Sequence, residues 1–292
     1  MPFAQKNQMI TRTDVRTKWR HEEKDFTPWL ARNLDKLSRV LGLDLELDGT
    51  EVDIGPYRAD IVARLSQKGA PAVIENQLSH ADPKHLGQLI SYVARLKAKV
   101  GVWEATDFWH TNLCAIGSLN NRVEDSPQFF AVRLSLVESG NRTEQPVLDV
   151  RVHPKKWRDP VAKEFWSFCA KLCPSEQKPS FNPGSNLRRG RFLVKEVDLQ
   201  VVQHFEADFV RVYVTGGPAE CRKDAIARIS LYRPKIVAAL GKSGLLDPED
   251  PHCKSTLCVN TQDQSNWSYM EEWFRQHREL YSVILRSGPS ER

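Results

Sequence analysis

The sequence has little that would place it among secreted, membrane or strongly basic proteins. It contains only six cysteines in 292 residues, and its 42 basic and 37 acidic residues leave a formal charge of +5. No stretch approaches 18 consecutive apolar residues. A disulfide framework requires denser cysteine, and a membrane-spanning helix requires about 20 apolar residues. These absences exclude a disulfide scaffold, a helical membrane protein and a polybasic coat protein.

Zinc-ligand and targeting patterns are also missing. Cys169 and Cys173 lie one helical turn apart, and His252-Cys253 precedes Cys258, but neither group has a second ligand pair at the spacing of a zinc site. The first residues, 1–6, lack the apolar core of a signal peptide. We therefore expect ordinary thiols in a cytoplasmic protein.

The composition is that of a globular protein with two domains. The hydrophobic fraction is 40%, with 8 Trp and 12 Phe, and there is no internal repeat. At about 100–200 residues per domain, the length predicts two domains. The proline-flanked stretch 154–160 is the expected boundary. We predict a first domain over 1–157 and a second, α+β domain over 158–292.

Local signals order the elements of the first domain. Thr27-Pro28 predicts the start of a helix over about 28–41, which Gly42 ends. Short alternating runs then predict strands of an antiparallel meander. They are separated by turn residues at Asp48-Gly49, Gly55-Pro56 and Lys68-Gly69. Asp82-Pro83 predicts a second helix, and the apolar run 100–103 predicts a strand buried on both sides.

The second domain shows a different order. An aromatic helix follows Pro160, and a loop is predicted over 174–186. Strands are predicted over 191–202 and 208–214, a helix over 219–240, and a final aromatic helix from Trp267.

Two carboxylates carry the strongest chemical signal. Asp60 lies within one predicted strand and Glu75 within the next, where Gln77 shares the face of Glu75. Carboxylates on neighbouring strands repel each other unless a cation lies between them. Oxygen ligands on a rigid sheet suit Mg²⁺, which can activate water for attack on a phosphate. Glu51 and Asp53, beside a turn, are expected to be solvated.

The helix after Glu75 adds a polar stripe. Gln88, Tyr92 and Arg95 recur at helical spacing, on the side predicted to lie opposite an apolar face. That apolar face consists of Leu86, Leu89, Ile90 and Val93. The stripe suits contact with a phosphate or base, and it equally suits an ordinary solvated face.

This pattern resembles the PD-(D/E)xK, or restriction-endonuclease-like, nuclease superfamily. An acid on one strand, the triplet Glu75-Asn76-Gln77 on the next and a Gln-x-x-x-Tyr helix are similar to its RecB-like branch. The resemblance covers about residues 20–155, and local stretches such as 55–61 look like a bacterial subgroup with an uncharacterised companion domain. It implies an α/β fold with an αβββαβ core, a mixed sheet flanked by helices, followed by the second α+β domain.

The resemblance also implies roles for individual residues. Asp60, Glu75 and the backbone carbonyl of Asn76 would bind Mg²⁺ or Mn²⁺, with Glu22 as a further acid. Gln77 stands where the superfamily usually has Lys. Glutamine can orient a water but supplies no charge, so this departure weakens the enzyme interpretation.

Contacts to nucleic acid are expected from the helix and from two basic clusters. The candidate residues are His85, Gln88, Tyr92, Arg95, Lys155, Lys156, Arg188 and Arg189. The alternative for the two clusters is a solvated linker and a solvated turn. With so low a net charge, binding is expected to be modest and sensitive to salt.

The sequence thus predicts a metal-dependent nuclease that hydrolyses phosphodiester bonds in bacterial defence or repair. DNA is favoured over RNA, no membrane partner is expected, and the chain acts as a homodimer or within a larger assembly. One alternative is a non-catalytic nucleic-acid-binding module that kept the fold, which Gln77 favours. Another is a protein-interaction subunit that docks through its second domain.

Overall fold

The fold was analysed in a computed structural model of the chain. The structure describes residues 11–66, 69–121, 126–138, 144–172, 178–182, 185–217, 220–241, 246–247 and 249–289. Lys68, part of a predicted turn, and part of the predicted loop 174–186 lie outside these residues. The described chain forms two compact units, 11–161 and 162–289, so the division falls after Val161.

The N-terminal unit contains a sheet with helices between its strands. A 3₁₀ turn (Val15–Thr17) and a π-helical turn (Glu22–Phe26) precede the first α-helix. The helices are α1 (Thr27–Arg32), α2 (Leu34–Leu41), α3 (Pro83–Leu96) and α4 (His110–Leu119). The strands are β1 (Thr11–Thr13), β2 (Leu45–Ile54), β3 (Tyr57–Leu65), β4 (Pro71–His80), β5 (Val100–Asp107), β6 (Gln128–Glu138) and β7 (Glu144–Val152).

The sheet is mixed, with order β1-β6-β5-β4-β3-β2 and β7 also pairing with β6. Strand β5 runs parallel to β4 and β6, whereas the other pairs are antiparallel. Its residues from Val100 to Ala105 are all buried, which confirms the predicted central strand. The unit is therefore an α/β unit in which two helices and four strands precede α3 and β5.

Different residues of β4 face the two sides of the sheet. Val73 belongs to a buried cluster with Leu89 and Val93 of α3 and with Ile116 of α4. On the other side, the Asn76 Nδ2 donates a hydrogen bond to the Thr27 Oγ1 of α1 at 3.2 Å. Since side chains alternate along a strand, Glu75 belongs to the α3 side of the sheet.

Several local signals act as predicted. Gly42 follows α2 with φ of 69°, the left-handed conformation that glycine adopts without strain. The Asp82 Oδ1 accepts a hydrogen bond from the Lys84 N–H and caps α3, with Pro83 at its first turn. Gly55-Pro56 forms the two-residue turn between Ile54 and Tyr57, which are paired.

Two predictions for this unit are wrong. The helix expected over 28–41 is interrupted at Asn33, whose φ and ψ are −121° and 32°. Thr27 does not cap it, because the π-helical turn runs directly into α1 and leaves Thr27 buried. Asp48-Gly49 is not a turn either, because β2 continues through it with only a shift of register.

The C-terminal unit is an antiparallel sheet with helices. Its helices are α5 (Pro160–Leu172), which begins two residues before the division, α6 (Arg222–Ser230), α7 (Arg233–Leu240) and α8 (Trp267–Arg286). Its strands are β8 (Arg189–Val194), β9 (Leu199–Phe205), β10 (Phe209–Gly216) and β11 (Ser255–Cys258). The sheet order is β11-β10-β9-β8, with every pair antiparallel.

This unit also departs from the sequence prediction. The strand expected over 191–202 is two strands, because the chain turns at 195–198, where Asp198 has φ of 48°. The helix expected over 219–240 is divided into α6 and α7 at Leu231-Tyr232. Strand β11 was not predicted. In the described parts of the chain, no helix has the length and apolar character that crossing a membrane requires.

Candidate metal and nucleic-acid site

Acidic side chains converge where β3 and β4 separate. The pairing of Thr50 with Ile61 and of Val52 with Ala59 sets Glu51 opposite Asp60. The β3–β4 ladder ends at the pair Ile61 and Ile74. Beyond that pair, the Asp60 Oδ2 accepts a hydrogen bond from the Asn76 N–H at 2.6 Å. A carboxylate thus takes the place of a strand carbonyl and brings Asp60 beside Glu75.

Glu22 reaches the same part of β4 from the π-helical turn. Its Oε2 accepts a hydrogen bond from the Leu78 N–H at 2.6 Å. Two N–H groups of one strand, those of Asn76 and Leu78, are therefore bound by carboxylates. The structure places Glu22, the further acid that the resemblance implied, next to Asp60 and Glu75 at this edge.

Burial and repulsion by neighbouring carboxylates raise the pKa values of Asp60 and Glu75. Burial raises the pKa of Asp60, and the carboxylates of Glu22, Glu51 and Glu23 raise it further, although the Asn76 N–H lowers it. Burial also raises the pKa of Glu75, and Asp60 adds to that change. A shared cation would remove this repulsion, as two closely spaced carboxylates require.

Glu51 belongs to this acidic row, contrary to the prediction that it is solvated. Its pKa is raised by burial and by Glu23 and Glu22, and lowered by Arg58. The Arg58 guanidinium is, however, held by Asp53 at 2.9 Å on the exposed side. The signal for Glu51 was available, because a two-residue turn at Gly55-Pro56 already sets it opposite Asp60.

The donor set fits Mg²⁺ or Mn²⁺ in its chemistry. The Glu75 Oε2 and the Glu51 Oε1 are buried and have no hydrogen-bond partner among the described residues. Hard divalent cations bind carboxylate and carbonyl oxygens and keep several waters, so two carboxylates are enough. Within the described ranges, no three His, Cys, Asp or Glu side chains enclose a metal position by themselves. Metal binding by Asp60, Glu75 and the Asn76 carbonyl stays a prediction.

Gln77 has a role different from the predicted one. Its Nε2 donates to the His80 carbonyl at 2.9 Å and to the Ser79 Oγ at 3.0 Å. Its Oε1 accepts from the Asp82 N–H at 3.0 Å. Both ends of the amide are thus bound within the turn between β4 and α3. Gln77 therefore stabilises that turn, and its contact with an attacking water stays a prediction.

The predicted polar stripe on α3 is wrong for Tyr92, and the predicted apolar face is wrong for Ile90. Tyr92 is buried at 1% exposure, whereas Ile90, expected in the core, is exposed. The Tyr92 hydroxyl donates to the Arg58 carbonyl at 2.9 Å, and the Gln88 Nε2 donates to the Tyr92 Oη at 3.4 Å. Burial and the nearby Glu75 raise the pKa of Tyr92 to about 12. Tyr92 therefore holds α3 against β3 beside the acids.

The other two helix residues remain partly or fully accessible. Arg95 is exposed, and its contact with nucleic acid stays a prediction. His85 is half-buried near the start of α3 and its Nδ1 has no hydrogen-bond partner among the described residues.

The two basic clusters have different surroundings. Lys155 and Lys156 are exposed. Trp157, the next residue in the chain, is fixed because its Nε1 donates to the Leu41 carbonyl at 2.8 Å. Arg188 is buried and bound to Glu206 at 2.5 Å, so its predicted contact with a phosphate is wrong. Arg189 is exposed at the start of β8.

A further buried acid lies in the same sheet and was not predicted from the sequence. Glu104 of β5 is paired in register with Asn76, and thus lies on the face of the sheet opposite Glu75. It is fully buried, both its carboxylate oxygens lack a hydrogen-bond partner in the described chain, and burial raises its pKa to about 8. The sequence did contain a signal for this acid, because Glu104 is the one charged residue within the apolar run 100–105.

Comparisons with protein-family models, with curated proteins and with solved structures found no match to this chain.

Proposed function

We propose that the N-terminal unit is a metal-dependent nuclease that hydrolyses phosphodiester bonds of nucleic acid, with DNA as the favoured substrate. The observation that carries the proposal is the row formed by Glu51, Asp60 and Glu75 on three neighbouring strands. Carboxylates that are buried together cost stability, so a protein that keeps them uses them to bind a cation or to move protons.

The residues of the row have distinct roles in this proposal. Asp60 and Glu75, with the Asn76 carbonyl, hold Mg²⁺ or Mn²⁺, and Glu22 binds the Leu78 N–H of β4 beside them. The ion supplies charge to polarise the scissile phosphate and to lower the pKa of the attacking water. Tyr92 holds β3 through the Arg58 carbonyl and thereby keeps Asp60 in position.

Cleavage by matched variants tests the proposal. Wild type, Asp60→Asn and Glu75→Gln are incubated with single- and double-stranded DNA, and with RNA, in Mg²⁺ or Mn²⁺. These substitutions keep the size of each side chain and remove its charge. We expect cleavage by wild type to fall at least 100-fold in both variants, since oxygen ligation and charge stabilisation are both lost.

The matched control is Glu104→Gln, which neutralises an equally buried acid on the opposite face of the same sheet. It should keep the cleavage rate of wild type. Cleavage that survives in Asp60→Asn and Glu75→Gln would refute the assignment of the site.

A second candidate function is binding of nucleic acid without cleavage, which the contacts of Gln77 favour. At the position where the superfamily usually has lysine, this chain has an amide whose hydrogen bonds lie within a turn. Salt-dependent binding without cleavage in any divalent metal would support this candidate. Gln77→Lys distinguishes the two: a weakened enzyme gains activity, whereas a binding module does not. Unfolding must be measured alongside, because lysine cannot accept the Asp82 N–H.

A further inference from the structure

The sheet of the C-terminal unit has one covered face and one open face. On the covered face, the Gln203 Nε2 of β9 donates to the Phe274 carbonyl of α8 at 2.8 Å. On the open face lies a groove of about 560 Å³, bounded by β8–β10 and by the segment around Ser180. Side chains alternate along a strand, so Gln200 and Val202 of β9 belong to this second face. A groove of this volume has the size of a ligand site.

The strand register arranges the side chains of this face in rows. Arg189 is paired with His204, and His204 with Arg211. In the next row, Arg191 is paired with Val202, and Val202 with Tyr213. One row therefore ends in arginine on both sides, and the other runs from an arginine to an aromatic ring.

The charge of these rows is positive. Among the described residues, Arg189, Arg191 and Arg211 form no ion pair with a carboxylate. The Arg211 Nε donates to the Thr256 Oγ1 at 2.8 Å, and its guanidinium lies over the Phe209 ring at 4.6 Å. These contacts hold the arginine in place without neutralising its charge.

Two of the acids near the groove are already bound to other side chains. Glu206 accepts from Arg188 and from His204, at 2.5 and 2.8 Å. Glu220, which lines the groove, is paired with Arg228 at 2.9 Å. The positive charge of the groove therefore favours an anionic ligand.

The aromatic and amide groups of the groove specify the kind of anion. Tyr213 is half-buried, at the end of the row that begins with Arg191, and the ring of His252 stands edge-on to it with centroids 6.2 Å apart. Gln200 and Thr215, paired on β9 and β10, add hydrogen-bonding groups. Positive charge along a backbone path with a ring for stacking is how single-stranded nucleic acids are bound, because an unpaired base has a free π-face.

We propose that this groove binds a single-stranded nucleic acid, with a base stacked on Tyr213 and its phosphates paired with Arg189 and Arg191 of the groove and with Arg211 on the same face of the sheet. The inference rests on the proposed function in that it names the form of the nucleic acid that the chain recognises. Its evidence lies in the C-terminal unit alone, so the groove can bind even if the acidic row does not cleave.

Binding by the full chain in EDTA tests the proposal without cleavage. Fluorescence anisotropy measures the affinity for a labelled oligothymidylate and a labelled oligouridylate, with a duplex of mixed sequence as competitor. Tyr213→Ala should weaken binding about tenfold, as loss of one stacking contact does, while Tyr213→Phe keeps it. Arg191→Gln should weaken binding and reduce the slope of log affinity against log salt by about 0.7.

Two variants on α8 are matched controls. Tyr269→Ala removes an exposed tyrosine, and Arg286→Gln removes an exposed arginine, and neither residue lines the groove. Both should bind as wild type does. Thermal unfolding of every variant separates loss of binding from loss of fold.

Three results would overturn the proposal: unchanged affinity in Tyr213→Ala and Arg191→Gln, equal competition by the duplex, or equal competition by polyglutamate, which would identify the groove as a site for acidic peptides. Failure of the nuclease proposal looks different. In that case Asp60→Asn and wild type bind the oligonucleotide equally and neither cleaves it when Mg²⁺ is added.

Discussion

Each unit contains carboxylates in electrostatic surroundings opposite to those found in the other. In the C-terminal unit, Glu206 lies between Arg188 and His204, so its charge is matched by donors within hydrogen-bond distance. In the N-terminal unit, Asp60 and Glu75 lie among other acids, and burial together with the charges of neighbouring carboxylates raises the pKa of both. A paired acid contributes to the fold, whereas crowded acids oppose it. The contrast separates a charge that the fold matches from charges that it leaves unmatched.

The largest loss of unfolding free energy is expected when the ion pair between Arg188 and Glu206 is broken. Glu206→Gln removes the charge that Arg188 needs and leaves a guanidinium in a site only 10% exposed. Breaking one side of such a pair costs about 2–3 kcal/mol of unfolding free energy when the pair is not fully buried. Urea unfolding followed by tryptophan fluorescence measures the loss.

The matched control for this change is Glu196→Gln. Its carboxylate is paired with Arg286 at 3.3 Å but is 60% exposed, so its loss should change stability by less than about 0.5 kcal/mol. Equal effects of Glu206→Gln and Glu196→Gln would show that the buried pair has no structural role.

In contrast to Glu206→Gln, the substitution Glu75→Gln is expected to increase the free energy of unfolding. The folded-state pKa of Glu75 is raised above its ordinary value of 4.5. Between those two pKa values the folded state binds more protons than the unfolded state, so stability falls as pH rises in metal-free buffer. The Glu75→Gln variant has no carboxyl group at this position, so its stability does not fall with pH in this way. At about pH 8 we expect it to gain about 1–2 kcal/mol, because each tenfold change in a proton-binding constant corresponds to about 1.4 kcal/mol.

Near pH 4 the gain should disappear, because Glu75 is then protonated in the folded state. Urea midpoints at the two pH values, for wild type and variant, measure it. The exposed Glu46 of β2, changed to Gln, should give no gain at either pH. A Glu75→Gln variant that is less stable than wild type at high pH would mean that a cation of the chain already neutralises this acid.

Magnesium should stabilise wild type by a comparable amount. A ligand that binds only the folded state adds about 1.4 kcal/mol at ten times its Kd. The change in thermal midpoint on adding Mg²⁺ measures this stabilisation. It should grow as pH rises, because Asp60 and Glu75 must lose their protons to bind the ion.

Asp60→Asn should abolish the stabilisation by Mg²⁺, and Glu104→Gln should retain it. If Mg²⁺ stabilises Asp60→Asn as much as wild type, the ion binds elsewhere in the chain.

The sequence could predict the elements whose signals are local. Gly42, Gly55 and Asp82 act through backbone conformation and capping, which depend on a few neighbouring residues. The turn predicted at Asp48-Gly49 is wrong because β2 pairs with β3 on both sides of these two residues. Long-range strand pairing overrides a local turn preference. The site residues Asp60 and Glu75 were found together because the strand order that joins them is also local.

The side-chain roles could not be predicted in the same way. Helical periodicity assigns Tyr92 to a polar face, but it does not show that a buried carbonyl of Arg58 accepts its hydroxyl. Likewise, the spacing of Gln77 does not show that the Asp82 N–H occupies its Oε1. Arg188 lies in a basic run of the sequence, and only the fold reveals Glu206 beside it. Each error concerns a polar group whose partner is set by tertiary structure.

The smallest expected effect distinguishes the two roles that Tyr92 could have. Tyr92→Phe keeps the buried ring but removes the donor to the Arg58 carbonyl, which should cost about 1 kcal/mol of unfolding free energy. Since the hydroxyl is buried, affinity for nucleic acid should not change. Tyr57→Phe, which alters an exposed tyrosine of β3, should change neither quantity. If Tyr92→Phe instead unfolds as wild type does and binds DNA about tenfold more weakly, the hydroxyl contacts the substrate, as the Gln-x-x-x-Tyr resemblance implied, and the acidic row must open to admit it.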